Sequence, residues 1–280
     1  MSLDGTGDRA GAGEPGADGA RTPDGAAPIL ELDHVDAGYG PFRALFDVSI
    51  TVPAGSAVAL VGPNGSGKST VARVASGLVA PTSGRVLIAG EDLSDHPPHV
   101  FARAGIAHAP EGRAVFATLT VKENLELAFG EAGIDGGVRA ALDEAFAMFP
   151  KLGDRRDQVA GTLSGGEQRM LTLARVLVLK PRLLIADELS LGLAPIVTTD
   201  VYRVLAQVRD AGCALLVVEQ HLDHALELAD HVVVLQQGEV RFTGSPEEVG
   251  DLSSSILMPV GAPGRVEGAE HRLGPGEEPA

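Results

Sequence analysis

Eight residues constrain this chain more than any others: Gly62-Pro63-Asn64-Gly65-Ser66-Gly67-Lys68-Ser69, set directly after the apolar run Ala57–Val61. They fit G-x-x-x-x-G-K-[ST], and they stand between a strand-like run and a helix-like segment, which is the context that pattern requires. The glycines let successive N–H groups turn inward, and the positive end of the following helix adds to the same cradle. Lys68 brings a cation for β- and γ-phosphates, and the Ser69 hydroxyl suits Mg²⁺. The expected nucleotide loop runs over Gly62, Pro63, Asn64, Gly65, Ser66, Gly67, Lys68, Ser69 and Thr70. A plain glycine-rich turn is the rival reading, and the strand–loop–helix context weighs against it.

The rest of the chain supplies an α/β frame for that loop. Short apolar runs predict strands at Ile29–Leu32, Val48–Val52, Ala57–Val61, Val86–Ile88, Ile106–Ala109, Leu183–Ala186, Ala214–Val218 and His231–Leu235. Helical spacing recurs over 69–77, 120–129, 138–149, 166–179, 198–210 and 222–229. The runs at 183–186 and 214–218 are almost continuously apolar, as strands covered on both faces of a parallel sheet should be. A helix-rich stretch, about 92–165, reads as a subdomain inserted into the sheet domain of 29–259. Residues 1–28 and 260–280 are rich in Gly, Pro and acidic residues and have too little apolar surface to order, so both read as disordered tails.

Charge and composition narrow the function classes. Acidic residues exceed basic ones by 38 to 22, and the tails hold only nine of the acids and four of the bases. That balance argues against a nucleic-acid partner, which needs clustered Lys and Arg. The single cysteine, Cys213, lies in an apolar run and reads as a small core residue in a reducing compartment. No stretch reaches the ~18 apolar residues of a membrane helix, and no apolar leader opens the chain. The expectation is a soluble, cytoplasmic protein.

Two further signals accompany the loop. An apolar strand ends in Asp187-Glu188: the first carboxylate suits Mg²⁺, and the second suits polarising an attacking water. Leu163-Ser164-Gly165-Gly166-Glu167 opens a long amphipathic segment, with Ser164 as a plausible N-cap and both glycines exposing N–H groups at the helix's positive end. In this order the three motifs resemble the ABC ATPases, over about residues 29–250. That resemblance implies a P-loop fold with a mostly parallel core sheet, an N-terminal antiparallel β subdomain and the inserted helical subdomain. It also implies ATP with Mg²⁺ as cofactors, and hydrolysis that energises a membrane transporter. Ser164, Gly165, Gly166 and Glu167 become the signature loop, which covers ATP bound to the opposite subunit of a head-to-tail dimer.

The resemblance adds four positions. Tyr39 matches the aromatic that stacks on adenine; Glu111, in PEGRAVF, stands where most members have a glutamine linking metal and γ-phosphate to the transporter-facing subdomain. Gln220 occupies the place of a γ-phosphate-contacting histidine, with His221 beside it as the rival, and Ala194 replaces a usual Asp. PEGR, SLGLAP and Glu219-Gln220 together are similar to one of the two ATPases of branched-chain amino acid importers, although Leu189 stands where a proline is usual. The implied catalytic set is Glu188, Lys68 and Gln220, and the implied metal set is Ser69, Asp187 and Glu111. The implied partners are membrane permease subunits, a second ATPase subunit (identical or a paralogue) and, indirectly, a solute-binding protein, all at the cytoplasmic face of the cell membrane. Urea or amide transport, a soluble ABC ATPase acting off the membrane, and a weakly hydrolysing regulatory module are the competing readings. His96 and His99, flanking Pro97-Pro98, read as surface-loop residues.

Overall fold

The structure is a computed structural model that describes residues 27–112, 114–130, 136–220 and 223–249. Both tails lie outside the described residues except at positions 27 and 28, as does His221.

Three strands with every residue buried form the centre: β3 (Ala57–Val61), β7 (Leu183–Asp187) and β8 (Ala214–Glu219), preceded in the chain by β1 (Leu30–Tyr39) and β2 (Phe42–Val52). The remaining strands are β4 (Ser83–Ile88), β5 (Glu91–Asp92), β6 (Ile106–Ala109), β9 (His231–Gln236) and β10 (Glu239–Gly244). The main sheet runs β10-β9-β3-β8-β7-β6, parallel throughout except for the antiparallel β10. A second, antiparallel sheet runs β2-β1-β4-β5.

Helices cover the parallel sheet because its strands are apolar on both sides. They are α1 (Lys68–Ala75), α2 (Pro98–Arg103), α3 (Val121–Gly130), α4 (Gly137–Met148), α5 (Pro150–Gly153), α6 (Gly165–Leu177), α7 (Pro195–Asp210) and α8 (Asp223–Leu228). The two-residue period of a strand divides the core. Ile185, Leu216 and Val218 pack with α1 and the antiparallel sheet, while Leu184, Ala186, Leu215 and Val217 pack with α3, α4, α6 and α7.

The structure revises several sequence expectations. β1 extends to Tyr39, paired with Phe42, because register shifts between Leu32 and Gly38 hide the alternation. β10 escaped notice because Arg241 and Thr243 break its apolar run. Pro97-Pro98 opens α2 instead of a loop, since proline's fixed φ and missing N–H cost nothing in a first helical turn, and His99 therefore sits on a helix. Within the stretch 92–165, β6 belongs to the main sheet, so the helical excursion follows it. Among the described residues no helix is long and apolar enough to cross a membrane.

Candidate nucleotide site

The carboxyl ends of β3 and β7 lie on either side of β8, and the site gathers there, outside the ends of parallel strands. Gly67 has φ +104, and a Cβ there would meet Leu45 Cδ2 at 2.8 Å and Ala44 O at 2.9 Å, so only glycine fits this tight entry to α1. A cleft of ≈ 400 Å³ opens over the loop, lined by Asn64, Gly65, Lys68, Ser69, Thr70 and Glu188 among others. Pro63 edges the loop and Gly62 lies buried beneath it.

Lys68 is buried, its Nζ donating to the carbonyl oxygens of Gly62 (2.9 Å) and Pro63 (3.1 Å) and lying 3.7 Å from Glu188 Oε1. The Ser66 hydroxyl is buried in the same loop with no hydrogen-bond partner. Such an orphan is costly unless a ligand completes it. Ser69 Oγ donates to Asp187 Oδ1 at 3.4 Å. Burial, followed by the charges of Glu188 and Glu111, pushes the Asp187 carboxyl up to about 6. The Asp187 carboxylate is buried beside two other carboxylates, which marks a place where further cationic charge is wanted.

At the start of α6, Ser164 and Glu167 form a reciprocal capping box. Glu167 Oε2 accepts from Ser164 N (2.9 Å) and Oγ (2.8 Å), and Glu167 N donates to Ser164 Oγ at 3.4 Å. Arg155 Nε lies 2.9 Å from Glu167 Oε1 and braces the turn. Gly165 is exposed, whereas Gly166 is buried against α7, where a Cβ would stand 2.5 Å from Val197 Cγ1. A larger cavity, ≈ 460 Å³, lies beneath this turn, away from the phosphate loop.

The ABC transporter family profile matches residues 45–190, from within β2 through the signature turn to just past the end of β7 at Asp187. The chain belongs to the ABC transporter family. It is an ATPase subunit of that family, as the phosphate loop, Asp187-Glu188 and the signature turn together require. The high-affinity branched-chain amino acid transport ATP-binding protein BraG of Pseudomonas aeruginosa is 42% identical, the match covering 76% of this chain and 91% of that protein. The lipopolysaccharide export system ATP-binding protein LptB of Haemophilus influenzae is 33% identical over 79% of this chain and 92% of its own. Among solved structures, a nucleotide-free ATP-binding cassette from an ABC transporter superposes with a TM-score of 0.73 at 28% identity, covering 81% of this chain and 95% of that one.

The remaining expected positions of this ABC ATPase converge less tightly. Tyr39 is 42% exposed at the end of β1, its hydroxyl accepting from Arg73 Nη1 at 2.9 Å, and it stands outside the lining of the phosphate-loop cleft. Glu111 is exposed and makes no hydrogen bond to Ser69 or Asp187, although its charge is felt at Asp187. Gln220 is half-buried just after β8, beside the end of β3. Ala194 is the N-cap of α7 without a side-chain bond.

The way Leu189 and Glu219 hold the loop after β7 is not legible in the sequence. Glu188 adopts φ +47, a left-handed conformation that costs a non-glycine residue roughly 1–3 kcal/mol. Its N–H donates to Val218 O at 2.9 Å. Leu189, the residue in place of the usual proline, is 1% exposed in the core, so burial fixes what a proline ring would otherwise stiffen. Glu219 accepts from Ser190 N (3.2 Å) and Oγ (2.9 Å) and pairs with the Tyr202 hydroxyl; burial pushes its carboxyl up. A charged residue closing an otherwise apolar strand was the available signal for Glu219.

Proposed function

We propose that this subunit energises a membrane importer for branched-chain or related amino acids, working from the cytoplasmic face against permease subunits. The observation that carries the catalytic part is the meeting of Lys68, Ser69, Asp187 and Glu188 at the ends of two strands. The 42% identity to BraG against 33% to LptB supports import of amino acids over export of lipopolysaccharide.

ATP phosphates fit the phosphate loop because it holds a buried ammonium and the orphaned Ser66 hydroxyl. Mg²⁺ fits Ser69 and Asp187, since hydroxyl and carboxylate oxygens are its preferred donors. Among the described residues no cluster of three or more His, Cys, Asp or Glu offers a rival metal site. When bound, Mg²⁺ neutralises charge on the β- and γ-phosphates.

Lys68 lies 3.7 Å from Glu188 in this structure, so the catalytic carboxylate is held by the cation that ATP would claim. Arriving phosphates compete for Lys68 and free Glu188 to polarise the attacking water and accept its proton. Gln220 donates an amide hydrogen to the γ-phosphate. Ser164, Gly165 and Gly166, with Glu167 bracing them, close over ATP on a second ATPase subunit, identical or paralogous. Tyr39 offers its exposed ring to adenine, and Glu111 relays the nucleotide state to the permease.

Glu188→Gln tests the arrangement, because it removes the base and leaves the cradle and signature turn intact. With ATP and Mg²⁺ the variant should elute as a dimer, together with its sister ATPase if one is required, and disperse without nucleotide. A variant that hydrolyses ATP at the wild-type rate, or that never dimerises with its proper partner, overturns the reading. Uptake of labelled leucine by cells with and without the gene tests the solute, and unchanged uptake excludes it.

A further inference from the structure

Arg169 lies on the first turns of α6, five positions after Ser164, and only 7% of it is exposed. A guanidinium brings five N–H donors into the interior, and each must find an acceptor or cost free energy. Nη1 donates to the carbonyl oxygens of Pro110, at 3.4 Å, and of Gly112; Nη2 donates to the carbonyl oxygen of Glu188 at 3.3 Å. Among the described residues no carboxylate forms an ion pair with it, although Glu111, Glu219, Asp187 and Glu188 all lie near enough to favour its charge against the effect of burial.

Those carbonyls belong to the loops that follow the neighbouring strands β6 and β7. One carries Glu111, between Pro110 and Gly112; the other carries Glu188, whose backbone is in the left-handed region. The helix that bears Arg169 begins at the signature turn. One side chain therefore joins three segments, 19 residues apart on one side and up to 59 on the other. Arg175, further along the same helix, grips only the distal part of the first loop, through Ala114 O and the Phe116 ring, 5.0 Å from its guanidinium carbon.

We infer that Arg169 is a positioning residue that holds the Glu188 backbone in its strained conformation and locks the loop of Glu111 to the signature helix. A displacement of either loop then moves the water-activating carboxylate. Among the described residues Arg169 makes no hydrogen bond to the phosphate loop, so nucleotide affinity should not depend on it. The inference rests on Glu188 being that carboxylate.

The full-length chain tests this by steady-state hydrolysis and by calorimetric ADP titration of Arg169→Met, Arg169→Lys, Arg175→Met and Glu188→Gln. Arg169→Met should lower kcat at least about tenfold, the scale of a lost hydrogen bond from a charged group. KM for ATP and the ADP affinity should stay within about threefold, because the cradle is untouched. Arg169→Lys, which keeps the charge but not the fork, should recover part of kcat. Arg175→Met should keep the wild-type kcat of the subunit. Wild-type kcat in Arg169→Met overturns the inference, as does a loss carried by KM or matched by Arg175→Met. If Arg169→Met cannot bind ADP, Arg169→Lys decides: reduced kcat at unchanged KM supports the role, and wild-type kcat refutes it. Full turnover in Glu188→Gln would instead remove the premise, an outcome separate from any result at Arg169.

Discussion

Replacing Asp187 by asparagine should make the nucleotide-free protein more stable at neutral pH while abolishing hydrolysis. Asp187 is 2% exposed, and burial with the charges of Glu188 and Glu111 raises its carboxyl from 3.8 to about 6. The folded chain thus holds that proton more tightly than the unfolded chain. Stability from this group is greatest below pH 3.8, falls as pH rises through 6, and the full penalty is present above that. At about 1.4 kcal/mol for each tenfold change in proton affinity, the penalty is about 3 kcal/mol. Asparagine has nearly the same shape, keeps an oxygen for the Ser69 hydroxyl and carries no charge. Thermal melts in EDTA should show the variant about 5–10 °C above wild type at pH 8. The gap should shrink to about half at pH 5, where the folded wild type keeps most of the proton, and close only below about pH 4. Addition of Mg²⁺ and ATP should then stabilise wild type and leave the variant behind, because the proposed metal site needs the carboxylate that the variant lacks. A gap of equal size at both pH values, or a variant less stable than wild type at pH 8, would refute this electrostatic account.

Four other outcomes can be checked with the same preparations. Lys68→Ala should abolish phosphate release and weaken ATP binding, since it removes the one buried cation in the phosphate loop; near-normal turnover would defeat the assignment. Gly166→Ala should cost about 1–3 kcal/mol in urea unfolding through overlap with Val197, and Val197→Ala in the same chain should restore most of it. Leu189→Ala should cost about 2–5 kcal/mol and also reduce kcat, because the emptied pocket loosens the residue next to Glu188; full activity would show that burial of Leu189 does not fix the loop. Gln220→Ala should slow hydrolysis roughly ten- to a hundredfold, the effect of losing a hydrogen bond worth about 1.5–3 kcal/mol, with His221→Ala mild. The reverse order would assign the γ-phosphate contact to His221.

Features that depend on neighbours a few residues apart are legible in the chain before it folds. Gly67 is readable because the turn and the helix start are local, and Ser164 with Glu167 is readable because a capping box closes over three positions. The apolar runs of β7 and β8 announced buried parallel strands for the same reason. What these runs do not encode legibly is their order, since each is much the same string of Val, Leu, Ile and Ala. That β8 lies between β3 and β7 emerges from the packing of the whole sheet. That order sets Lys68 beside Glu188, Ser69 beside Asp187, and the end of β8, with Glu219, against the loop after β7. Packing likewise turns Arg169, on a helix that reads as merely amphipathic, inward onto Pro110, Gly112 and Glu188. A guanidinium can be buried only where carbonyl oxygens from distant loops converge on it, and that convergence comes from packing whole elements together.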